Sequence, residues 1–366
     1  MSLKAGIVGL PNVGKSTLFN AITKTHILAA NYPFATIEPN VGVVTVPDKR
    51  LDFLNELYHP KSLVPATVEF TDIAGLVKGA SKGEGLGNKF LSHIREVDAI
   101  INVVRCFEDE NITHVEGNID PIRDVEIIDV ELILADLEVI ENRIAKLGKK
   151  MSMAKSKEEI LEVNTLNKCK DALTNGKLLR KCEFNDDELK LLKAFNLITL
   201  KPVLFVANVN EDAILSSGNK YTEVLKEYAE KEDASVIIMC CEMESELSGL
   251  ENEEKNALML ELGLQTSGLD RLIIESYNIL GLRTFFTAGS DEVRAWTFKE
   301  GQTAPNCAGI IHTDFERGFI RAEVMSYEDL EKYKSEIKVK EAGKIRLEGK
   351  NYIMQDGDIC YFRFNV

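Results

Sequence analysis

The chain has 366 residues, which is enough for two or three domains of ordinary size. Its composition, 45% hydrophobic and 28% charged, is typical of a soluble globular protein. Lys and Arg number 44 against 59 Asp and Glu, so the net charge of −15 argues against a basic protein that coats nucleic acid.

Nothing in the sequence points to a membrane or to an oxidising compartment. It contains no run of about 18 apolar residues, the length that a membrane-spanning helix needs. Residues 1–4, with a single Lys, lack the features of a signal peptide. The 7 Cys residues are odd in number and form no Cys-x-x-Cys pair, which favours reduced thiols. We therefore expect a cytoplasmic protein.

Up to about residue 110, short apolar runs alternate with polar helical stretches, which is typical of a parallel sheet flanked by helices. The apolar runs predict strands over residues 5–10, 42–46, 66–72 and 99–105. A helix is predicted to begin near Gly14 and to end near Lys24.

The next segment changes to a heptad pattern. Its apolar residues follow one another at alternating spacings of three and four: Val130, Ile133, Leu137, Ile140, Ile144, Leu147, Met151 and Ala154. A return helix follows over 157–173 and ends at the Asn175-Gly176 pair. We predict that residues 122–198 form an antiparallel helical hairpin, a coiled-coil arm that projects from the sheet. The alternative is that the heptad face packs on the chain's own core.

Sheet-like apolar runs resume at 202–207 and 235–239. The hairpin is therefore predicted to be an insertion into one α/β domain, made of residues 1–121 and 199–282. Aromatic residues and Gly and Pro turns then predict a small strand-rich domain over residues 283–366.

A phosphate-binding motif follows the first predicted strand. Residues 9–16 read Gly-Leu-Pro-Asn-Val-Gly-Lys-Ser, which fits G-x-x-x-x-G-K-[ST] between a strand and a helix. The glycines allow successive N–H groups and the helix N-terminus to point at one anion. Lys15 adds positive charge between the β- and γ-phosphates, and the Ser16 hydroxyl is placed to bind Mg²⁺.

Two further positions extend this motif. Asp72 ends a predicted strand in the order Asp72-Ile73-Ala74-Gly75, from which the carboxylate reaches the Mg²⁺ shell and the Gly75 N–H bonds the γ-phosphate. Thr36, in the loop between the two motifs, would complete the Mg²⁺ shell only when a γ-phosphate is present, which predicts an order–disorder switch. This set is typical of a P-loop NTPase of the GTPase type.

The base-reading motif departs from that of GTPases, which read guanine with Asn-Lys-x-Asp after a strand. Here the stretch is Asn208-Val209-Asn210-Glu211, so Val209 replaces the Lys and Glu211 replaces the Asp with one methylene more. A site that bonds the N–H edge of guanine rejects other bases because its buried acceptors would go unpaired. Without that constraint ATP becomes the favoured nucleotide, and a variant site that still binds GTP is the alternative.

The group that activates water is also unusual. Leu76 follows Gly75 where many signalling GTPases carry Gln, and leucine can neither donate nor accept a hydrogen bond. The loop residue His114 is a candidate substitute, with an ordinary surface histidine as the alternative. Asn12 could bind a monovalent cation next to the phosphates, or it only supports the turn of the P-loop.

Together these motifs resemble those of the YchF/Obg-like ATPases. The resemblance extends over the whole chain and is carried by residues 9–17, 31–37, 72–77, 208–211, 286–289, 294–297, 311–321 and 341–344. One departure lies at Cys240-Cys241-Glu242, where many relatives have Ala or Ser.

The resemblance implies an α/β fold: a P-loop NTPase G domain with an inserted antiparallel coiled-coil hairpin and a C-terminal TGS domain of the β-grasp type. It implies hydrolysis of ATP, preferred over GTP, with the backbone at Val209 reading the amine of adenine. The nucleotide-binding residues would be Asn12, Val13, Gly14, Lys15, Ser16, Thr17, Gly75, Asn208, Val209 and Glu211. Ser16, Thr36 and Asp72 would hold Mg²⁺, and Asn12 would hold K⁺. His114 and Lys15 would be the catalytic residues.

The resemblance also implies a ribosome or RNA partner and a role in translation or stress response, and we expect a monomer with no DNA or membrane partner. A GTPase, and a nucleotide-gated ribosome- or RNA-binding module with incidental hydrolysis, remain as alternatives. Residues 332–350 carry seven Lys and Arg residues against three acidic ones. They form a modest basic strip on an acidic chain, where an RNA contact could form.

Overall fold

The structure is a computed structural model, and it describes residues 3–24, 41–73, 86–149, 156–216 and 218–365. The strands within these ranges are β1 (Lys4–Val8), β2 (Val41–Thr45), β3 (Ser62–Val64), β4 (Thr67–Asp72), β5 (Ala99–Arg105), β6 (Val203–Asn208), β7 (Ser235–Met239), β8 (Leu282–Ala288), β9 (Glu292–Lys299), β10 (Phe319–Ser326), β11 (Arg346–Glu348) and β12 (Asp358–Phe364).

The α-helices of the same ranges are α1 (Lys15–Lys24), α2 (Lys49–Tyr58), α3 (Leu86–Glu96), α4 (Pro121–Lys149), α5 (Lys157–Thr174), α6 (Asp186–Leu192), α7 (Glu211–Leu215), α8 (Lys220–Lys231), α9 (Cys241–Leu247), α10 (Asn252–Glu261), α11 (Gly268–Ile279), α12 (Ala304–Ile311), α13 (Thr313–Arg317), α14 (Tyr327–Tyr333) and α15 (Glu336–Glu341). Short 3₁₀ helices cover Leu179–Lys181, Lys193–Phe195 and Ile198–Leu200.

The chain divides into two compact units. The first consists of Met1–Gly42 and Glu69–Leu272, and the second of Val43–Val68 and Ile273–Val366. Residues 43–68, which the sequence analysis assigns to the first domain, thus group with the C-terminal part. Three residues of the predicted site, Thr36, Gly75 and Leu76, lie outside the described residues.

The first sheet has the strand order β2-β4-β1-β5-β6-β7, and its strands β1, β5, β6 and β7 lie entirely within the first unit. Neighbouring strands from β4 to β7 run parallel. β5 and β6 are buried along their whole length, as expected for central strands covered on both faces. The predicted strands over 99–105 and 235–239 are confirmed in full, and the others of this sheet shift by one or two residues.

The heptad segment forms α4, and the return helix forms α5 behind a capping box of Ser156 and Glu159. Both helices contribute to one apolar cluster, whose fully buried members include Ile140, Leu166, Cys169, Leu173, Leu179 and Leu192. The expected seam is wrong at Val130, which is 52% exposed. There α4 packs on β5 and α8, so Val125, Ile128 and Leu132 are buried instead. Met151 and Ala154 lie outside the described residues.

The second sheet belongs to the second unit, with the strand order β11-β10-β12-β8-β9-β3. β8 with β9, and β10 with both β11 and β12, pair antiparallel, whereas β12 with β8 and β3 with β9 pair parallel. Phe285, Phe298 and Phe362 form the aromatic part of its core together with α12. The predicted strand-rich character of the C-terminal region is confirmed.

The seven cysteines are all free, and six of them are buried. In the parts of the chain that the structure describes, no helix has both the length and the apolar composition for crossing a membrane.

Candidate functional site

The predicted site residues gather where the parallel strands of the first sheet end. The P-loop follows β1, Asp72 ends β4, and Asn208 ends β6. The register places Ile7 beside Asp72, and Asn208 between Arg105 of β5 and Met239 of β7. Because carboxyl ends of parallel strands share one edge, residues far apart in sequence line one crevice, where open α/β sheets bind ligands.

The P-loop backbone has positive φ angles at Gly14 and Asn12, and both residue types tolerate them. Gly14 has a φ of +104°, and a Cβ at this position would lie 2.3 Å from Nδ2 of Asn208. Asn12 has a φ of +62°, a region that Asn tolerates better than most residues. Its Nδ2 donates to the carbonyl oxygen of Thr113 at 3.3 Å. The loop therefore turns directly into α1, which begins at Lys15.

Lys15 is held inside the loop as a partly desolvated cation. Its ammonium donates to the carbonyl oxygen of Leu10 at 2.6 Å, and the residue is only 8% exposed. Burial lowers the pKa of Lys15 to about 8, an effect that Asp72 partly offsets. Burial also raises the pKa of Asp72 from its ordinary value, and Lys15 partly offsets that. Phosphate oxygens at this ammonium would satisfy its remaining donors and favour its charged form.

The oxygen atoms suited to Mg²⁺ lie beside this cation. Ser16 is exposed at the start of α1, and Asp72 is partly buried at the end of β4. In the described ranges, no group of three His, Cys, Asp or Glu side chains could hold a metal ion. A hydroxyl and a carboxylate are hard oxygen donors, so they fit a Mg²⁺ that takes its other ligands from phosphates and water.

Asn208 joins the P-loop to the opposite wall of the crevice. Its Nδ2 donates to the carbonyl oxygen of Val13 at 2.9 Å, and its Oδ1 accepts from the amide of Cys241 at 3.0 Å. The side chain is 5% exposed, so both bonds are shielded from water. The predicted nucleotide-contact residue thus also holds two loops together.

A cavity of 670 Å³ opens beside the P-loop, on the side expected for the base. Its lining includes Asn12, Gly14, Thr17, Asn208, Val209, Glu211 and Cys240. The amide of Val209 donates to the carbonyl oxygen of Met239 at 3.0 Å, and Val209 is 2% exposed. Glu211 is the first residue of α7. The cavity has the size of a small-molecule site.

One wall of the cavity comes from the segment after β5, here named the roof segment (residues 106–117). Phe107, Asp109 and Ile112 from this segment line the cavity. Arg105 holds it in place, because its guanidinium donates to the carbonyl oxygens of all three residues at 2.9 to 3.2 Å. The guanidinium also lies 4.6 Å from the centre of the Phe107 ring. Arg105 is 2% exposed, so it is a buried residue whose hydrogen bonds hold this wall of the cavity in place.

His114, in the roof segment, is buried rather than at the surface. Its Nε2 lies 2.8 Å from Oδ2 of Asp124 in α4, and its Nδ1 accepts from the amide of Glu116 at 3.1 Å. The expected alternative of an ordinary surface histidine is therefore wrong, because the residue is only 7% exposed. In this conformation both ring nitrogens are occupied by protein partners.

The structure thus brings together Asn12, Val13, Gly14, Lys15, Ser16, Thr17, Asp72, Asn208, Val209 and Glu211. His114 belongs to the same roof segment but is bonded to α4. Sequence reasoning missed Arg105 and Asp124. An arginine that ends an otherwise apolar strand was a usable signal for Arg105, because a buried guanidinium needs internal acceptors. Asp124 had no comparable signal.

Family models match both ends of the chain. Residues 4–157 match MMR_HSR1, described as "50S ribosome-binding GTPase". Residues 282–365 match YchF-GTPase_C, described as "Protein of unknown function (DUF933)".

Full-length relatives give the same family name. The chain is 59% identical to the "Ribosome-binding ATPase YchF" of Bacillus subtilis (strain 168), over 100% of both chains. It is 52% identical to the protein of the same name from Escherichia coli O157:H7, again over 100% of both chains. Among solved structures, the "Structure of the Schizosaccharomyces pombe YchF GTPase" matches with a TM-score of 0.89 and 44% identity, covering 99% of this chain and 98% of that one.

Proposed function

The chain belongs to the YchF family, and on this basis we propose that it binds ATP in the cavity beside the P-loop, hydrolyses it to ADP and phosphate, and acts on the ribosome. The bacterial relatives that match over their full length are named ribosome-binding ATPases. The P-loop, the Lys15 ammonium and the clamp of Asn208 provide the phosphate-binding half of such a site.

The hydrogen bonding of the Val209 backbone is the observation that supports ATP over GTP. Its amide already bonds Met239, so only the carbonyl of Val209 remains to read a base. A carbonyl accepts from the exocyclic amine of adenine, whereas guanine has a carbonyl oxygen at that position and would need a donor. Glu211, in place of the usual Asp, leaves the guanine N–H edge without its matched acceptor.

At the phosphate end, the P-loop amides of Val13 and Gly14 and the Lys15 ammonium bind the β- and γ-phosphates, where Lys15 stabilises the charge that develops during transfer. Ser16 and Thr36 would hold Mg²⁺ with the help of Asp72, and Gly75 would bind the γ-phosphate. Mg²⁺ would supply further neutralisation of phosphate charge. Thr36 and Gly75 enter this proposal from the sequence motifs, since they lie outside the described residues.

Leu76 occupies the position where many signalling GTPases carry the Gln that orients water, so two other residues are proposed to support hydrolysis. His114 orients the attacking water, and the side-chain oxygen of Asn12 would hold K⁺, which would supply positive charge next to the phosphates. The Nδ2 of Asn12 is engaged by Thr113, so Oδ1 is the atom that would bind the cation.

The rest of the chain is proposed to connect nucleotide state with the partner. The α4–α5 hairpin is the coiled-coil arm of residues 122–198, inserted into a G domain of residues 1–121 and 199–282. Residues 283–366 are a TGS domain of the β-grasp type, and the basic strip at 332–350 contacts RNA. The protein acts as a monomer in the cytoplasm, with no DNA partner.

GTP hydrolysis is the second candidate, because the solved relative from Schizosaccharomyces pombe is named a GTPase. The two candidates differ only at the base, since they share the P-loop, Mg²⁺ and water machinery. The third candidate is a module that binds the ribosome and hydrolyses nucleotide incidentally. It differs from both enzymes because its cellular role would not depend on hydrolysis.

The proposal is tested by phosphate release and by cosedimentation with ribosomes. We expect ATP turnover that the substitution Lys15→Ala abolishes, and ribosome binding that differs between ADP and a non-hydrolysable ATP analogue at two salt concentrations. Turnover that persists in Lys15→Ala would refute the nucleotide site. Loss of turnover in His114→Ala with the cellular role intact would favour the binding module.

A further inference from the structure

The imidazole of His114 and the carboxylate of Asp124 form a buried pair at the start of α4. The two side chains are 4% and 3% exposed, and Nε2 lies 2.8 Å from Oδ2. Because the amide N–H of Glu116 donates to Nδ1, that nitrogen is unprotonated. Nε2 therefore carries the hydrogen that Asp124 accepts, and the hydrogen-bond network assigns a single tautomer.

Asp124 is itself fixed by its neighbour Arg123. The guanidinium donates to Oδ1 of Asp124 from Nη2 at 2.9 Å and from Nε at 3.3 Å. The same guanidinium donates to Oδ1 and to the carbonyl oxygen of Asn118, both at 2.6 Å. Each carboxylate oxygen therefore has its own charged or ring N–H donor, and charge-assisted bonds of this kind are stronger than neutral ones.

The roof segment contacts two different parts of the molecule at adjacent residues. The carbonyl of Thr113 accepts from Asn12 of the P-loop, whereas the ring of the next residue, His114, bonds α4. His114 is absent from the described lining of the nucleotide cavity, although the roof segment forms one of its walls. His114 thus follows directly on a residue that contacts the P-loop, but its ring bonds α4 and does not line the nucleotide cavity.

Building on the proposed function, in which His114 orients water, we propose that Asp124 is a positioning residue that holds His114 in a withdrawn, resting position. Hydrolysis then requires the pair to open. Opening leaves the Nε2–H as a donor, and release from Glu116 makes Nδ1 an acceptor for water. Asp124 lies in the first turn of α4, so a partner that shifts this helix moves the acceptor away from the ring.

The wild-type protein tests the opening directly through the ring ¹⁵N signals of His114, assigned by comparison with His114→Gln. In ADP we expect a slowly exchanging proton on Nε2 and a single tautomer. In a non-hydrolysable ATP analogue with Mg²⁺ we expect that protection to fall and the tautomer signal to change. Identical signals in the two nucleotide states would overturn the proposal.

Substitution of Asp124 tests its effect on rate, with Asp129→Asn as the matched control. Asp129 is also buried in α4, but it bonds Arg180 and Tyr228 instead of the roof segment. We expect Asp124→Asn to raise basal turnover on the order of tenfold, because the neutral amide oxygen still accepts from Nε2 but more weakly than the carboxylate, and tenfold corresponds to about 1.4 kcal/mol. We expect Asp129→Asn to leave turnover unchanged.

Unchanged or reduced turnover in a folded Asp124→Asn protein would contradict the proposal. If that variant does not fold, the wild-type ring signals decide. If His114→Gln keeps wild-type turnover, the proposed role of His114 in water activation fails, and the ring signals then decide separately whether Asp124 holds the residue back.

Discussion

Asn208 donates a hydrogen bond from Nδ2 to the carbonyl oxygen of Val13, 2.9 Å away, across 195 residues of sequence. Its Oδ1 accepts from Cys241 at the same time, so one side chain joins the P-loop to the start of α9. A residue known from its place in a base-reading motif is therefore also part of the support of the phosphate loop.

Replacement of Asn208 by Ala removes both bonds and leaves a buried amide and a buried carbonyl without partners. We expect a loss of about 1–3 kcal/mol in the free energy of unfolding and weaker binding of ADP and ATP. Urea unfolding and nucleotide titration measure these effects. Asn278→Ala is the control, since that side chain is exposed, donates to the carboxylate of Glu275 and does not line the cavity. Equal effects of the two substitutions would contradict the clamp.

Gly14→Ala places a Cβ 2.3 Å from Nδ2 of Asn208, at a φ of +104° that L-residues rarely adopt. We expect the folded protein to lose nucleotide binding, as measured by titration calorimetry. Gly148→Ala is the opposite case, because Gly148 lies in α4 and no atom of the described residues is within 4 Å of the added Cβ. That variant should gain up to about 1 kcal/mol in stability and bind nucleotide normally.

The stability of the protein should rise with pH through the titration of Lys15. Burial lowers the pKa of Lys15 to about 8 from an ordinary 10.5. Between these values the unfolded chain binds more protons than the folded one, so the free energy of unfolding increases with pH. Lys15→Met should remove a rise of at most about 3 kcal/mol, since one pKa unit corresponds to about 1.4 kcal/mol. Urea unfolding across this pH window measures the change.

Lys201 is the internal control for this experiment, because it is a second, partly buried lysine whose contribution to the pH dependence ADP should leave unchanged. Burial lowers its pKa to about 8 as well, but its ammonium donates to the carbonyl oxygens of Ile94 and Arg95 at the end of α3. Saturating ADP should suppress only the contribution of Lys15, because phosphate favours its charged form. If ADP changes the pH dependence of Lys15→Met as strongly as that of the wild type, the assignment of Lys15 to the phosphates is wrong.

Asp136 is expected to be the main polar anchor of α4. It is fully buried and accepts bonds from Arg95, from the amides of Ile198 and Thr199, and from the Thr199 hydroxyl, at 2.8 to 3.1 Å. Asp136→Ala leaves these donors unpaired and should cost about 3 kcal/mol. Thermal unfolding followed by circular dichroism measures the cost. Asp187→Ala, which removes an exposed pair with Lys190, should cost less than about 0.5 kcal/mol.

The strands of the first sheet and the P-loop helix could be predicted closely, because long apolar runs and a phosphate motif leave few alternatives. The seam of α4 could be predicted only in part, since a heptad pattern does not specify which neighbouring element each turn of the helix packs against. Val130 is exposed because the helix changes partners along its length. The grouping of residues 43–68 with the C-terminal part depends on the pairing of β3 with β9, which three residues of strand do not reveal.

Within the site, the residue types and their order could be predicted, whereas their partners could not. His114 is a candidate from sequence alone, yet its bond to Asp124 depends on how the chain turns between the roof segment and α4. Arg105 likewise acquires its role from three carbonyl oxygens that only the folded roof segment brings together.

The central claim is that this cavity selects adenine, and competition of ATP and GTP against one labelled ADP, each with Mg²⁺, tests it most directly. We predict that ATP displaces the label at a concentration about tenfold or more below that of GTP, and that Val209→Lys combined with Glu211→Asp narrows the difference. Displacement by GTP at the lower concentration, with no effect of ATP, would contradict the account.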